Sequence, residues 1–199
     1  VAINAIKTKI VADNKKTPYA KSFSVTATLK DENKVVVDGV PVQFAIDDVV
    51  IGTANTNKQG IASLAVPTPS QYNVGAHTVT ATFAGNKYML TSTATGTITV
   101  TKADTLLVAS NLSAKVGDKK FLTATLKRAT DKARLSNTSI SFNLDGTLLG
   151  TASTDGTGKG SFAYTVPTTL SVGAHKIKVE YAGDANHNAS KGEATLTIK

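Results

Sequence analysis

Apolar and polar positions alternate with a period of two along most of this chain. Val40, Val42, Phe44 and Ile46 are separated by polar or small neighbours, and Ile140, Phe142 and Leu144 repeat the pattern farther on. Val25, Ala27 and Leu29 have counterparts in Leu122, Ala124 and Leu126. Such alternation describes antiparallel strands buried on one face. Turn signals break it at short intervals: Asp38-Gly39, Lys58-Gln59-Gly60 and Ala84-Gly85-Asn86, then Asp145-Gly146, Asp155-Gly156 and Ala182-Gly183-Asp184. The first half is predicted to hold strands over roughly 6–12, 21–30, 40–47, 48–54, 60–66, 76–84 and 90–101, with no helix anywhere.

The pattern is written twice. "VGAHTVTATFAGN" at 74–86 returns as "VGAHKIKVEYAGD" at 172–184, "TATLK" at 26–30 returns at 123–127, and Val66-Pro67 returns as Val166-Pro167. Length changes between the copies fall in turn-like stretches, "TNKQG" against "TDGTGKG" and "TPSQYNVG" against "TTLSVG". A period near 98 residues matches two domains of ordinary size rather than a solenoid. The expected boundaries are 1–101 and 102–199. In that register "VAIN" at 1–4 sits where Ile98 to Thr101 closes the first copy, so it is expected to be the tail of a preceding repeat. The fold expected is all-β: two tandem antiparallel sandwiches of about seven strands each.

Within the repeated phrase, His77, Val79, Ala81 and Phe83 share one face of a strand, and Thr78, Thr80 and Thr82 share the other. The second copy has His175, Ile177, Val179 and Tyr181 against Lys176, Lys178 and Glu180. Apolar residues persist on one side while Thr exchanges freely for charge on the other, which marks a strand buried on one side only. Gly75 and Gly173 are read as corners before the strand, and Gly85 and Gly183 as corners after it. His77 and His175 begin the buried face and are read as corner residues bonded to a loop carbonyl. No second histidine or acid is seen at a fixed offset beside them, so no metal site is assigned.

The charge balance, 22 basic against 14 acidic residues, gives a net +8. The charges are scattered singly and are nearly all Lys, without the Arg clusters and interleaved aromatics of a nucleic-acid surface, so no nucleic-acid partner is expected. No apolar run reaches the ~18 residues needed to cross a bilayer. There is no Cys, so disulfides and thiolate metal sites are ruled out. Thirty Thr residues fit exposed strand faces. Their rows invite comparison with an ice-binding array, but the second copy replaces one row with Lys, Lys and Glu.

Catalytic patterns are missing. There is no Gly-flanked Ser elbow and no acid–base pair that recurs. The last strands, "TGTITVT" and "EATLTIK", hold no Asn for a Lys–Asn crosslink. Asp47-Asp48 and the Asp145 and Asp155 turns lack calcium-loop spacing. Asn111, Asn137 and Asn188 open Asn-x-Ser triplets of the kind that Ser- and Thr-rich sequence produces by chance. Neither enzyme activity nor a cofactor is assigned.

At this point "VDGVPVQFAID", "GTANTNKQGIASLAVP" and "VGAHTVTATFAGNKYMLTSTATGTITVTKAD" resemble the bacterial immunoglobulin-like repeat domains of prokaryotic cell-surface proteins. The second copy keeps the pattern but lacks the "GVP" entry. The resemblance implies a non-catalytic extracellular module of the kind found in adhesins, surface-layer proteins and secreted multidomain proteins, usually spacing or presenting a functional tip. The reading that follows is a stiff spacer whose neighbours are further repeats of the same polypeptide. The alternative is a module that binds cell-wall polysaccharide or host glycan through a basic, Thr-rich face, with Tyr19, Tyr72 and Tyr88 as candidate contacts.

Overall fold

Each half of the chain folds around the side chains that its alternating strands turn to one side. The computed structural model describes residues 5–199. It divides into two compact units, Val1–Thr101 and Lys102–Lys199. The expectation that residues 1–4 close a preceding repeat lies outside the described residues. The first unit runs β1 (Thr8–Ala12), β2 (Lys15–Pro18), β3 (Ser24–Asp31), β4 (Pro41–Ile46), β5 (Val49–Asn55), β6 (Ile61–Ala65), β7 (Gly75–Phe83) and β8 (Ser92–Thr101). The second repeats the order as β9 (Thr105–Ala109), β10 (Leu112–Ala114), β11 (Lys119–Arg128), β12 (Ser139–Leu144), β13 (Thr147–Ser153), β14 (Lys159–Thr165), β15 (Gly173–Tyr181) and β16 (Ser190–Ile198).

Each unit is a sandwich of a three-stranded and a five-stranded sheet. The orders are β1-β3-β6 and β2-β8-β7-β4-β5 in the first unit, β9-β11-β14 and β10-β16-β15-β12-β13 in the second. All pairings between these strands are antiparallel except β2 with β8 and β10 with β16, which are parallel. Among the described residues that makes eight strands per unit where the alternation predicts about seven. The extra one arises because the first strand divides: β1 pairs with β3 in one sheet, then the chain crosses at Asp13-Asn14 and β2 joins the other sheet beside β8. β2 is only "KKTP", too short and polar to show alternation, and its Pro is tolerated because the strand lies at a sheet edge.

Two side chains and two glycines make the crossing fit. Asn14 Oδ1 accepts the Thr97 N–H at 2.8 Å, and Asn111 Oδ1 accepts the Thr195 N–H at the same distance. On β8 a methyl group at Gly96 would stand 2.7 Å from the Asp13 carbonyl, and on β16 one at Gly192 would stand 2.6 Å from that of Leu107. The strand that changes sheets passes directly over these glycines.

The two cores are separate. In the first, Leu29, Phe44, Ile46, Phe83 and Ile98 are fully enclosed. In the second, Leu122, Leu126, Ile140, Phe142, Ile177, Leu196 and Ile198 play that part, and Phe142 stacks on Phe162 with ring centroids 5.8 Å apart. Val40, which the alternation places in the core, is only half-buried because it precedes β4.

Both units also fasten the chain that leads into them. The Ile6 N–H donates to the Tyr88 carbonyl, and the Leu90 N–H to that of Ile6. One repeat later, the Ala103 N–H donates to Asn186 and the Asn188 N–H to Ala103. The Ala129 N–H and the Asn188 side-chain amide both donate to Asp104. The segment Lys102-Ala103-Asp104 is thus largely bonded into the second unit.

Phe44 and Phe142 sit at equivalent places in the two cores, opposite Gly52 and Gly150. Replacing Phe44 by Ala should therefore destabilise its unit by about 3–5 kcal/mol through cavity formation. Urea unfolding checks this, and a loss below about 1 kcal/mol would contradict the inward placement of Phe44.

Candidate functional site

In both repeats a histidine that heads a buried strand face meets an aspartate of a hairpin turn. The β4–β5 hairpin turns on Asp47 and Asp48, with φ of 47° and 65°, and β12–β13 turns on Asp145 and Gly146, with φ of 48° and 87°. Two successive residues at positive φ make the tight hairpin turn that Asp and Gly favour. From that position each Asp reaches the first inward residue of the neighbouring strand. His77 Nδ1 lies 2.7 Å from Asp47 Oδ2, and His175 Nδ1 lies 2.6 Å from Asp145 Oδ2. The other carboxylate oxygen accepts a backbone N–H, from Thr78 at 2.9 Å and from Lys176 at 2.8 Å. Nε2 of each ring is 2.8 Å from a carbonyl four residues back, that of Asn73 or of Ser171. One imidazole therefore joins a hairpin turn, a strand and a loop.

The electrostatics follow from these contacts. Burial pulls the His77 pKa down, but its bonds to the Asn73 carbonyl and to Asp47 outweigh this and leave it raised. His175 is raised chiefly by Asp145, then by the Ser171 carbonyl, against a smaller burial effect. For Asp47, partial burial is more than offset by His77 and the Thr78 N–H, and its pKa falls. Asp145 is lowered first by His175 and then by the Lys176 N–H.

Asp47 and Asp145 are the residues that sequence reading missed. An acid does recur at a fixed offset from each histidine, but 30 residues back rather than beside it. Aligning the two copies on the β4–β5 turn, rather than matching Asp-Gly pairs, would have exposed it. Gly75 and Gly173 are the opening residues of β7 and β15. Gly85 and Gly183 adopt φ of 81° and 85° in the connection to the last strand, where a side chain would stand within 3 Å of backbone at Met89 and Thr91, or at His187 and Ala189. In that second connection Asp184 accepts the N–H groups of Asn186 and His187 and contacts the His187 ring, much as Asn86 accepts those of Tyr88 and Met89.

The three tyrosines occupy different segments. Tyr72 is buried, with its ring edge-on to His77 at 5.4 Å, which removes it from the surface where a ligand would stack. Tyr19 packs against the first core. Tyr88 is exposed, with the Lys87 ammonium 5.4 Å from its ring centre. The Thr-rich face exists on the first unit, where β7 and β8 set Thr78 opposite Thr97, Thr80 opposite Thr95 and Thr82 opposite Thr93. The second unit carries ion pairs there instead: Lys176 with Glu193 at 2.8 Å, and Glu180 with Lys178 and Lys191 at 3.0 and 3.2 Å. An open groove of about 700 Å³ passes Ser139, Ser141, Glu180, Asp184 and Lys191, but Glu180 is taken by those lysines and Asp184 by the N–H groups of Asn186 and His187.

Two of the three Asn-x-Ser asparagines have structural duties. Asn111 holds the strand crossing and Asn188 bonds Asp104. Among the described residues no group of three or more His, Cys, Asp or Glu is placed to hold a metal ion. No described helix is long and apolar enough to cross a membrane.

The family model for the bacterial Ig-like domain (group 3) matches residues 10–101 and again residues 107–199. The chain belongs to this family. No curated protein matches the sequence. Among solved structures, the Ig-like pair is similar to the Yersinia pseudotuberculosis adhesin InvE, at 16% identity over 94% of this chain and 58% of that one, with a TM-score of 0.42. It is also similar to a tetra-tandem repeat from the extending region of a large adhesion protein, at 17% identity over 98% of this chain and 50% of that one, with a TM-score of 0.47. A third likeness is to tandem domains of titin, at 11% identity over 98% and 66% of the two chains, with a TM-score of 0.58. At such identities these likenesses concern the fold.

The contacts of the His–Asp corner should stabilise each Ig-like repeat. Asp145→Ala removes one charge-assisted bond and one backbone acceptor from a half-exposed position, so it should cost the second unit about 1–2 kcal/mol. Thermal unfolding of the variant against the parent measures it, and an unchanged transition would show that the corner is idle.

Proposed function

We propose that this tandem is a non-catalytic, stiff spacer in a bacterial surface or secreted protein, with neighbouring repeats of the same polypeptide as its partners. The observation that carries the reading is the fastening of the chain on both sides of the boundary. The Thr101 carbonyl, closing β8, accepts the Tyr19 N–H inside the first unit, and Ala103 is already bonded to Asn186 and Asn188 inside the second. Lys102 alone stands between these anchored residues, and its ammonium reaches the Asp184 carbonyl at 2.6 Å. A boundary fastened in this way, with no Gly or Pro, should have little freedom to bend. The same fastening ahead of β1, through Ile6, Tyr88 and Leu90, supports a design meant to be repeated.

Small-angle scattering tests the reading. Strands of seven to ten residues at ~3.3 Å each, with their loops, give ~35–45 Å per repeat, so a stiff pair should reach ~80 Å with a radius of gyration of about 25 Å. A value near the ~16 Å of a compact globule of this length would defeat the spacer reading. Inserting Gly-Gly-Ser after Lys102 should broaden the distance distribution while leaving both unfolding transitions in place.

A further inference from the structure

Each corner imidazole stands between two acceptors. The Asn73 and Ser171 carbonyls can only accept, so Nε2 must carry a hydrogen in both rings. On the other side one proton lies between Nδ1 and an Asp oxygen. Each Asp already accepts a backbone N–H on its other oxygen, and carboxylic acids are far stronger acids than imidazolium, so that proton belongs to the ring. A neutral ring keeping Nε2–H would instead turn the Nδ1 lone pair on a carboxylate. We propose that His77 and His175 are held as imidazolium cations in the folded repeats, making each Ig-like unit a structure that tightens under mild acid and loosens in mild alkali.

The surroundings of both rings fit this. His77 faces Asp47, with Asp48 next to it in the turn, the edge of Tyr72, the Asn73 carbonyl and, across on β8, apolar Ile98. His175 faces Asp145, the Ser171 carbonyl and apolar Leu196 on β16. Tyr164, kept protonated by burial and by the Asp145 charge, lies within reach of that carboxylate, and Lys176 turns outward to pair with Glu193. Among the described residues no lysine or arginine pairs with either Asp, and both corners are built the same way at the same spacing.

The sign follows from linkage. Both histidines titrate higher when folded than the ordinary 6.5, so their contribution is complete below pH 6.5 and is lost as pH rises through the folded midpoint. Both aspartates titrate lower than the ordinary 3.8, so theirs is complete above pH 3.8 and is lost as pH falls through the folded midpoint. The corner is strongest between those two losses. Its opening on the alkaline side releases a loop and a hairpin turn from the same strand end.

The test is nitrogen-detected titration of the histidine rings, combined with urea unfolding between about pH 5 and 9. His77 and His175 should carry protons on both ring nitrogens, with midpoints above 6.5. The unfolding equilibrium constant should rise with pH, about tenfold per corner for each unit by which the folded midpoint exceeds the unfolded one. The rise should vanish in the double variant His77→Gln, His175→Gln. If that variant fails to fold, the ring titration of the parent decides alone. Midpoints at or below 6.5, or a pH dependence that survives both substitutions, would overturn the proposal.

Discussion

Without cysteine, each repeat is held together by burying the facing sides of its two sheets against one another. Everything else is arranged around that contact. It requires each strand to present apolar residues at every second position, so the register is fixed wherever a Phe or Ile points inward, as at Phe44 opposite Ala81 and at Phe142 opposite Val179. It also demands that the first strand serve both sheets. The price is a close crossing, met by glycine on the last strand and by an asparagine that takes over an edge N–H.

That single constraint explains which parts of the molecule the sequence discloses. Two-residue alternation sees β4, β7, β12 and β15 clearly because each is long and wet on one side only. It misses β2 and β10, whose four and three residues are held by edge pairing rather than by a buried row. The corners were half legible. His77 and His175 stand out because they head an apolar face, while Asp47 hides in a turn where Asp is common anyway, and only the folded hairpin brings it to the ring. Tyr72 was open to two readings, a surface contact or a cover for the end of the sandwich. Its ring is buried with the first core beside His77, and only the folded connection shows it there.

The two copies diverge where the buried contact does not reach. Cross-strand threonines on one unit are replaced by interlaced Lys and Glu on the other, with the same strands beneath. Threonine pairs and opposite charges both stabilise neighbouring strands by modest amounts, so the exchange leaves the sandwich intact and changes only what the surface offers. The His–Asp corner is different, since it is kept in both copies although it lies at the rim.

The parallel pairing of β2 with β8, and of β10 with β16, has a mechanical consequence. β2 lies near the entry of its repeat and β8 at the exit, and the two run in the same direction. Tension applied through the polypeptide pulls the entering strand backward and the leaving strand forward, along their shared axis. The ladder between them is then loaded in shear, so its hydrogen bonds carry the force together instead of parting one after another as in a hairpin peeled from its open end. The strand that the sequence advertises least is the one on which a stretched repeat would hang.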